Sequence, residues 1–204
     1  IPSEDKTEAL RYGLNIMNNE NLITVTTGGG GDGYFVLDSY LTMLEQMKEE
    51  RILPPFQTIL VTGPFLSKDQ KDAILERAAN LEIHAFEFFS DMETLITASD
   101  LVVCMGGYNT ICETLCSKTM SLIIPREYPR KEQYIRAKAF HEKDLIEYIK
   151  WDRVDAAALK KKILCMLENK DRYEKSMQKF KMTGISRICD RIFKLREDIN
   201  GGVC

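Results

Sequence analysis

The 204-residue sequence predicts an α/β fold, a domain built on a doubly wound parallel sheet. Short apolar runs alternate with segments of helical periodicity along most of the chain. Several runs are apolar at every position, which is typical of strands that are covered on both faces. Because strand and helix alternate strictly, right-handed crossovers follow, and one Rossmann-like domain accounts for residues 1–204.

The apolar runs and the periodic segments give the predicted elements in chain order. The strands are predicted at residues 22–27, 58–62, 83–88, 101–105 and 121–125. Helices are predicted at residues 34–48, 68–79, 92–98, 109–117 and 131–143. Two closing helices follow at residues 156–168 and 172–197, the second broken near Gly184. Ser67-x-x-Gln70 and Ser90-x-x-Glu93 have the spacing of capping boxes and mark two helix starts.

The last closing helix is amphipathic. Its apolar positions are Ile185, Ile188, Cys189, Ile192, Phe193 and Leu195. We expect this stripe to pack on the domain's own sheet, as most amphipathic helices do. The alternative, contact with a domain that this chain does not contain, stays open.

Composition excludes several classes of protein. Lys and Arg number 28 against 31 Asp and Glu, so no basic field is available for nucleic acid. The six cysteines form no C-x-x-C pair and there are two histidines, so we expect reduced, mostly buried thiols and no metal site. No apolar run approaches the roughly 20 residues that span a bilayer. We therefore expect a cytoplasmic protein without a cofactor and, because the chain begins with Ile-Pro, a fragment of a longer one.

A glycine-rich turn follows the first predicted strand. It reads T-T-G-G-G-G-D-G over residues 26–33, and its glycines include Gly28, Gly29, Gly30 and Gly31. Glycine lets the backbone approach a ligand closely, and the start of the next helix adds partial positive charge, which suits a phosphate group. The turn lacks the G-K-[ST] of a P-loop, although Gly28-x-Gly30-x-x-Gly33 formally satisfies a dinucleotide fingerprint. A flexible turn without a ligand is the alternative.

A second glycine turn follows the fourth predicted strand and opens a helix. Its residues are Met105, Gly106, Gly107, Tyr108, Asn109 and Thr110. Asn109 or Thr110 could cap the helix, and Glu113 could complete a capping box with Thr110. The other interpretation places Glu113 in the cleft as an acceptor for ribose hydroxyls, since ionised acceptors make the stronger hydrogen bonds. The residues alone leave both open.

A polar loop over residues 125–133 follows the fifth predicted strand. Arg126, Arg130 and Lys131 could contact phosphate there, or they could simply be solvated. Both glycine turns and this loop come at the carboxyl ends of strands, where open α/β sheets bind ligands. Their shared location predicts one binding site.

Residues 22–140 resemble the C-terminal half of GT-B glycosyltransferases, in particular family 28. Predicted polysaccharide-biosynthesis transferases that carry G-G-Y-N-T-x-x-E are nearer still. The matching segments are the turn T-T-G-G-G-G-D-G, the run E-F-F-S-D-M at 87–92, the run G-Y-N-T-I-C-E at 107–113 and the loop that ends at Gln133. Met105 replaces a basic residue that is frequent in the family, and Arg126 and Tyr128 replace its Phe-x-His.

The resemblance implies a role for each segment. The turns at 28–31 and 106–110 would hold the donor's diphosphate, and the backbone at Phe89 would meet its base. Glu113 would bind the ribose, and Gln133 with Glu132 would touch the donor sugar. In GT-B enzymes the acceptor lies mainly in an N-terminal domain, which would also supply the catalytic base, so we name no catalytic residue.

The resemblance thus implies the donor-binding, C-terminal half of a longer enzyme that transfers a hexosyl group from a nucleotide-diphospho-sugar, with UDP expected. The acceptor would be held by an N-terminal domain or a partner subunit, which allows peripheral association with the inner face of the membrane. Two alternatives remain: a non-catalytic binding subunit on a membrane-anchored partner, and a nucleotide-sugar epimerase or hydrolase. A dinucleotide oxidoreductase is disfavoured, because Gly63-Pro64 stands where those enzymes place an acidic ribose ligand.

Overall fold

The computed structural model describes residues 2–29 and 31–201. Its sheet has six parallel strands within these residues, in the order β3-β2-β1-β4-β5-β6. The strands are β1 Asn21–Thr26, β2 Phe56–Val61, β3 His84–Phe86, β4 Leu101–Cys104, β5 Met120–Ile123 and β6 Glu147–Tyr148. This is the doubly wound order of Rossmann-type sheets, and it confirms the predicted fold class.

Helices cover both faces of the sheet. They are α1 Glu4–Gly13, α2 Tyr34–Glu49, α3 Lys68–Asn80, α4 Met92–Ala98, α5 Tyr108–Ser117, α6 Glu132–His141, α7 Ala156–Glu168, α8 Lys170–Lys179 and α9 Gly184–Gly201, with a 3-10 turn at Trp151–Arg153. Alternate residues of β1 enter different clusters: Ile23 and Val25 join the larger core, whereas Leu22 packs with Leu95 of α4. Both faces of β1 are therefore buried, including Thr24 and Thr26 on the face of Leu22.

Three local features differ from the sequence prediction. The prediction omitted α1, which has no buried residue, and β6, which at two residues is too short to show a period. The capping box at Ser67 is present with both hydrogen bonds. The box at Ser90 was wrong by one residue, because Asp91 caps α4 by accepting from the Thr94 N–H.

The predicted break near Gly184 is present, since α8 ends at Lys179 and α9 begins at Gly184. Two expectations about side-chain burial need correction. The stripe on α9, however, does not pack on the sheet: Ile185 is 82% exposed and Phe193 60% exposed. Of the five described cysteines, all free thiols, Cys104 is buried and three are exposed. Periodicity shows that a helix has an apolar face, but not what covers that face.

Close backbone packing sets the shape of the first glycine turn. The helix start at Gly33 approaches the end of β1 so closely that a Cβ there would lie 2.3 Å from Thr27 Cβ. Gly63, which follows β2, has φ +78°, and a Cβ on it would lie 2.0 Å from the Gly28 carbonyl oxygen. The residues after β2 therefore support the turn after β1, and neither glycine has room for a side chain.

We expect Gly63→Ala to lower the free energy of unfolding by about 2–4 kcal/mol, because the substitution adds both backbone strain and overlap with Gly28. Urea unfolding at equilibrium measures the change. Gly13→Ala is the matched control, since nothing lies within 4 Å of a Cβ built there, and its change should stay below about 1 kcal/mol. Equal unfolding midpoints for the two variants would contradict this account of the turn.

Candidate functional site

A cleft of about 400 Å³ lies at the carboxyl ends of β1 and β4. From the β1 side it is lined by Thr26, Thr27, Gly28, Gly29 and Asp32. From the β4 side it is lined by Cys104, Met105, Gly107, Tyr108, Asn109 and Thr110. Arg126 and Gln133 close a third side. The structure thus brings residues of both glycine turns and of the 125–133 loop to one cavity.

The two glycine turns meet because their strands are neighbours. β1 and β4 pair in parallel, with Thr26 beside Cys104 at their carboxyl ends. Neighbouring strands lie about 4.8 Å apart, so the chains that leave them start side by side. This pair is also the point where the strand order reverses, from β2 and β3 on one side to β5 and β6 on the other. Crevices at such a switch point are the usual ligand sites of open α/β sheets.

The first turn presents backbone rather than side chains to the cleft. Gly28 has φ +65°, a left-handed conformation in which a side chain would be strained. Gly29 lines the cleft. Gly31 stands against the backbone of Phe65 and does not line the cavity. Gly30 lies outside the described residues. The turn leads into α2, which begins without a side-chain cap in the described part of the chain.

The second turn resembles the first in its physical chemistry. Gly106 has φ +76°, and a Cβ on it would lie 2.6 Å from a methyl group of Ile123. Gly107 is the N-cap of α5, and no described side chain caps this helix. Because the first N–H groups of a helix have no partner within it, two helix starts offer hydrogen-bond donors and partial positive charge close to one cleft.

Arg136 of α6 holds the second turn from outside the cavity. Its guanidinium donates to the Gly106 carbonyl oxygen at 2.7 Å and lies over the Tyr108 ring, 5.6 Å from the ring centre. Sequence reasoning missed this residue. The sequence indicated this residue by its position three residues after Gln133, which places both side chains on one face of α6.

The structure decides one of the two interpretations of Glu113. Thr110 is the third residue of α5, not its cap, so the capping interpretations of Asn109, Thr110 and Glu113 were wrong. Glu113 is half-buried and does not line the cavity, although it lies three residues beyond Thr110, which does. Residues three apart share one face of a helix, so Glu113 lies on the same face of α5 as Thr110. Its role toward a ribose stays a prediction.

Phe89 lies apart from the cavity. It follows β3 at the edge of the sheet, where its ring packs edge-on against Phe86 with the ring centres 5.3 Å apart. Phe89 is half-buried and does not line the cleft between β1 and β4. The predicted contact of Phe89 with the base stays a prediction.

The loop after β5 is tied to the start of α6. Gln133 Oε1 accepts from the Arg126 backbone N–H at 2.9 Å, which leaves the Gln133 amide N–H groups as its donors toward the cavity. Glu132 does not line the cavity; its carboxylate lies 3.7 Å from the Arg126 guanidinium. Arg126 Nη1 donates to Asp32 Oδ2 at 2.7 Å across the cleft.

Cys104 is unsuited to act as a nucleophile in this cleft. Burial, with a smaller contribution from the Glu113 charge, raises the pKa of its thiol to about 12, against a weaker opposing hydrogen bond from Gly106. The thiol is therefore protonated near neutral pH. Among the described residues no group of three His, Cys, Asp or Glu side chains is placed to hold a metal ion. The chemistry available here is hydrogen bonding and charge, supplied mostly by the backbone.

Four lining residues lie beyond the predicted set: Thr26, Thr27, Cys104 and Met105, at the ends of the two central strands. Asp32, inside the first turn, is a fifth. Their positions after β1 and β4 were visible in the sequence. Whether these residues face the cleft was not visible in the sequence, because it depends on the residue at which each strand ends.

Known proteins are similar to this chain in sequence. The model of the glycosyltransferase family 28 C-terminal domain matches residues 23–192. The UDP-N-acetylglucosamine--N-acetylmuramyl-(pentapeptide) pyrophosphoryl-undecaprenol N-acetylglucosamine transferase of Streptococcus agalactiae serotype Ia is 29% identical over 160 residues, which are 77% of this chain and 41% of that enzyme.

Solved structures agree in fold. MurG of Acinetobacter baumannii superposes with a TM-score of 0.69 and 18% identity, over 90% of this chain and 52% of that one. The UDP-GlcNAc 2-epimerase of Neisseria meningitidis, bound to UDP-GlcNAc, gives 0.57 and 14% identity, over 85% of this chain and 42% of that one. The chain thus spans about half the length of the proteins that it matches.

No helix within the described residues is both long and apolar enough to cross a membrane. The strand order, the cleft at the switch point and the family match over residues 23–192 agree with one another. The protein belongs to the glycosyltransferase family 28 C-terminal domain family.

Proposed function

We propose that this chain is the donor-binding domain of a glycosyltransferase and that its cleft holds the diphosphate of a nucleotide-diphospho-sugar. The observation that carries the proposal is the meeting of two glycine turns, each leading into a helix start without a side-chain cap among the described residues. Such backbone N–H groups bind anions well. A donor diphosphate of this kind fits a cleft whose described lining supplies one basic side chain, Arg126.

The proposed chemistry is displacement at the anomeric carbon of the donor sugar. The oxygen of an acceptor hydroxyl forms the new bond to that carbon while the bond to the diphosphate oxygen breaks. The hydroxyl proton passes to the catalytic base, and the nucleoside diphosphate leaves. Negative charge grows on the leaving group as the bond breaks. Donors that are already oriented toward that charge, as at the starts of α2 and α5, stabilise the transition state more than the ground state.

We propose UDP as the nucleotide and a hexosyl unit as the transferred group. The Streptococcus agalactiae relative is named as a transferase that takes N-acetylglucosamine from its UDP derivative. Glu113, Phe89, Gln133 and Glu132 are proposed for the ribose, the base and the sugar in the arrangement that the family resemblance implies. Gln133 would act toward the sugar as a hydrogen-bond donor, because its Oε1 is occupied by Arg126.

The acceptor and the catalytic base are proposed to come from another domain or a partner subunit. The apolar face of α9 supports this part, since Ile188 and Ile192 are about 60% exposed and large exposed apolar patches mark interaction surfaces. An association with the inner face of a membrane would come through that partner. The same surface is consistent with a donor-binding subunit that has no activity of its own.

An epimerase or hydrolase is the second candidate, because the fold is shared with a UDP-GlcNAc 2-epimerase. The products distinguish the candidates. A transferase joined to its acceptor half releases the nucleoside diphosphate only when an acceptor is glycosylated. An epimerase changes the sugar of the intact donor, and a hydrolase releases free sugar.

We expect UDP to raise the melting temperature of the isolated chain, and uridine, which lacks phosphates, to raise it much less. A ligand at 100 times its Kd stabilises a fold by about 2.7 kcal/mol, which a thermal-shift assay resolves. A screen of nucleoside diphosphates and nucleotide sugars also identifies the preferred base. If none of them shifts the melting temperature, the proposed function is wrong.

Glu113→Ala should weaken UDP binding by about 1–3 kcal/mol, because two hydroxyl donors of the ribose lose a charged acceptor. Isothermal titration calorimetry measures the loss. The control is Glu174→Ala, an exposed glutamate of α8 outside the cleft, which removes the same charge. Equal affinity of the Glu113 and Glu174 variants would leave Glu113 without a role in binding.

A further inference from the structure

The cleft proposed for an anion contains an acidic side chain. Of the described residues that line it, Asp32 and Arg126 carry opposite charges. They form an ion pair, with Arg126 Nη1 2.7 Å from Asp32 Oδ2. The pair joins the first glycine turn to the loop after β5, so it crosses the space above the ends of the strands. A diphosphate entering this space meets a carboxylate close to the one cation of the described lining.

The two members of the pair are held very differently. The Arg126 backbone is fixed, because its N–H donates to Gln133 at the start of α6. Its guanidinium is only partly satisfied in the described structure: Nε is buried without an acceptor, and Glu132 lies beyond hydrogen-bond distance at 3.7 Å. Asp32 is in an exposed turn, so water can solvate its carboxylate once Arg126 leaves.

We propose that Asp32 is an internal competitor for the donor's phosphate groups: it holds the Arg126 guanidinium when the cleft is empty and gives it up when a diphosphate binds. The inference rests on the proposed function, since it names how that site exchanges one anion for another. Both pairings are charge-assisted hydrogen bonds. In the described structure Asp32 accepts a single hydrogen bond from Arg126, whereas a phosphate can accept two from one guanidinium.

The exchange gives the cleft a preference among nucleotides. A ligand without a phosphate leaves the Asp32–Arg126 pair intact and gains nothing from Arg126. A diphosphate must displace Asp32, so the free energy of breaking the Asp32–Arg126 pair reduces the net free energy of diphosphate binding. Asp32 therefore lowers the affinity for UDP and leaves the affinity for uridine unaltered. The donor is bound less tightly than it would be in the same cleft without the Asp32 carboxylate.

The test measures the affinities of UDP and uridine by titration calorimetry for the wild type, Asp32→Asn, Arg126→Gln and the double variant. Asp32→Asn should bind UDP about three- to tenfold more tightly, the range of a partly exposed ion pair. Arg126→Gln should bind UDP more weakly, and the double variant should match Arg126→Gln. Asp144→Asn, which removes the same charge from a surface pair with Arg172, is the control and should not alter UDP binding.

Each other outcome has a definite meaning. Unchanged or weaker UDP binding by Asp32→Asn overturns the inference, because Asp32 would then be neutral or would help to position Arg126. A gain that persists in the double variant also overturns it, since Asp32 would act on the phosphate without Arg126. If wild-type protein binds UDP, either result leaves the proposed function standing, whereas a wild type that binds no nucleoside diphosphate removes the proposed function itself.

Discussion

The parallel pairing of β1 with β4 is the constraint on which the rest of the site depends. It places Thr26 beside Cys104, so that two chains emerge together at the centre of the sheet, where the strand order reverses. Each chain then turns through glycines in the left-handed conformation, Gly28 in one and Gly106 in the other. A cleft walled by backbone follows from this geometry. A side chain at either bend would be strained, whatever the residue.

A backbone site has a particular electrostatic consequence. Amide donors and helix starts carry partial charges that cannot be removed by titration or by rotation of a side chain. The cleft can therefore attract an anion while its lining side chains, Asp32 and Arg126, cancel each other. The charged side chains Asp32 and Arg126 then adjust the affinity for the anion. The backbone dipoles of the helix starts determine where the anion binds. Specificity for a diphosphate and moderate affinity are compatible in such a site.

The sequence predicted most of what depends on local pattern. Five strands, the main helices and the two glycine turns were visible as apolar runs, periodicity and composition. Contacts between distant segments were not visible. Nothing near Gly63 indicates that its missing side chain makes room for the Gly28 carbonyl, or that Arg136 reaches the Gly106 carbonyl. The two-residue β6 was missed because its pairing with β5, not a periodic sequence, forms it.

The α9 helix is a second case in which the sequence pattern did not reveal a tertiary contact. Its apolar spacing indicated a buried face, and the expectation of packing on the domain's own sheet was wrong because the sheet is already covered by α2, α7 and their neighbours. The cleft is likewise closed on the side of the two turns, so in the proposed transfer an acceptor would reach the donor sugar from the open side of the cleft. The described residues leave the apolar face of α9 exposed, and the proposed function needs an acceptor site as well. A second domain or a partner that covers α9 and faces the cleft would satisfy both at once.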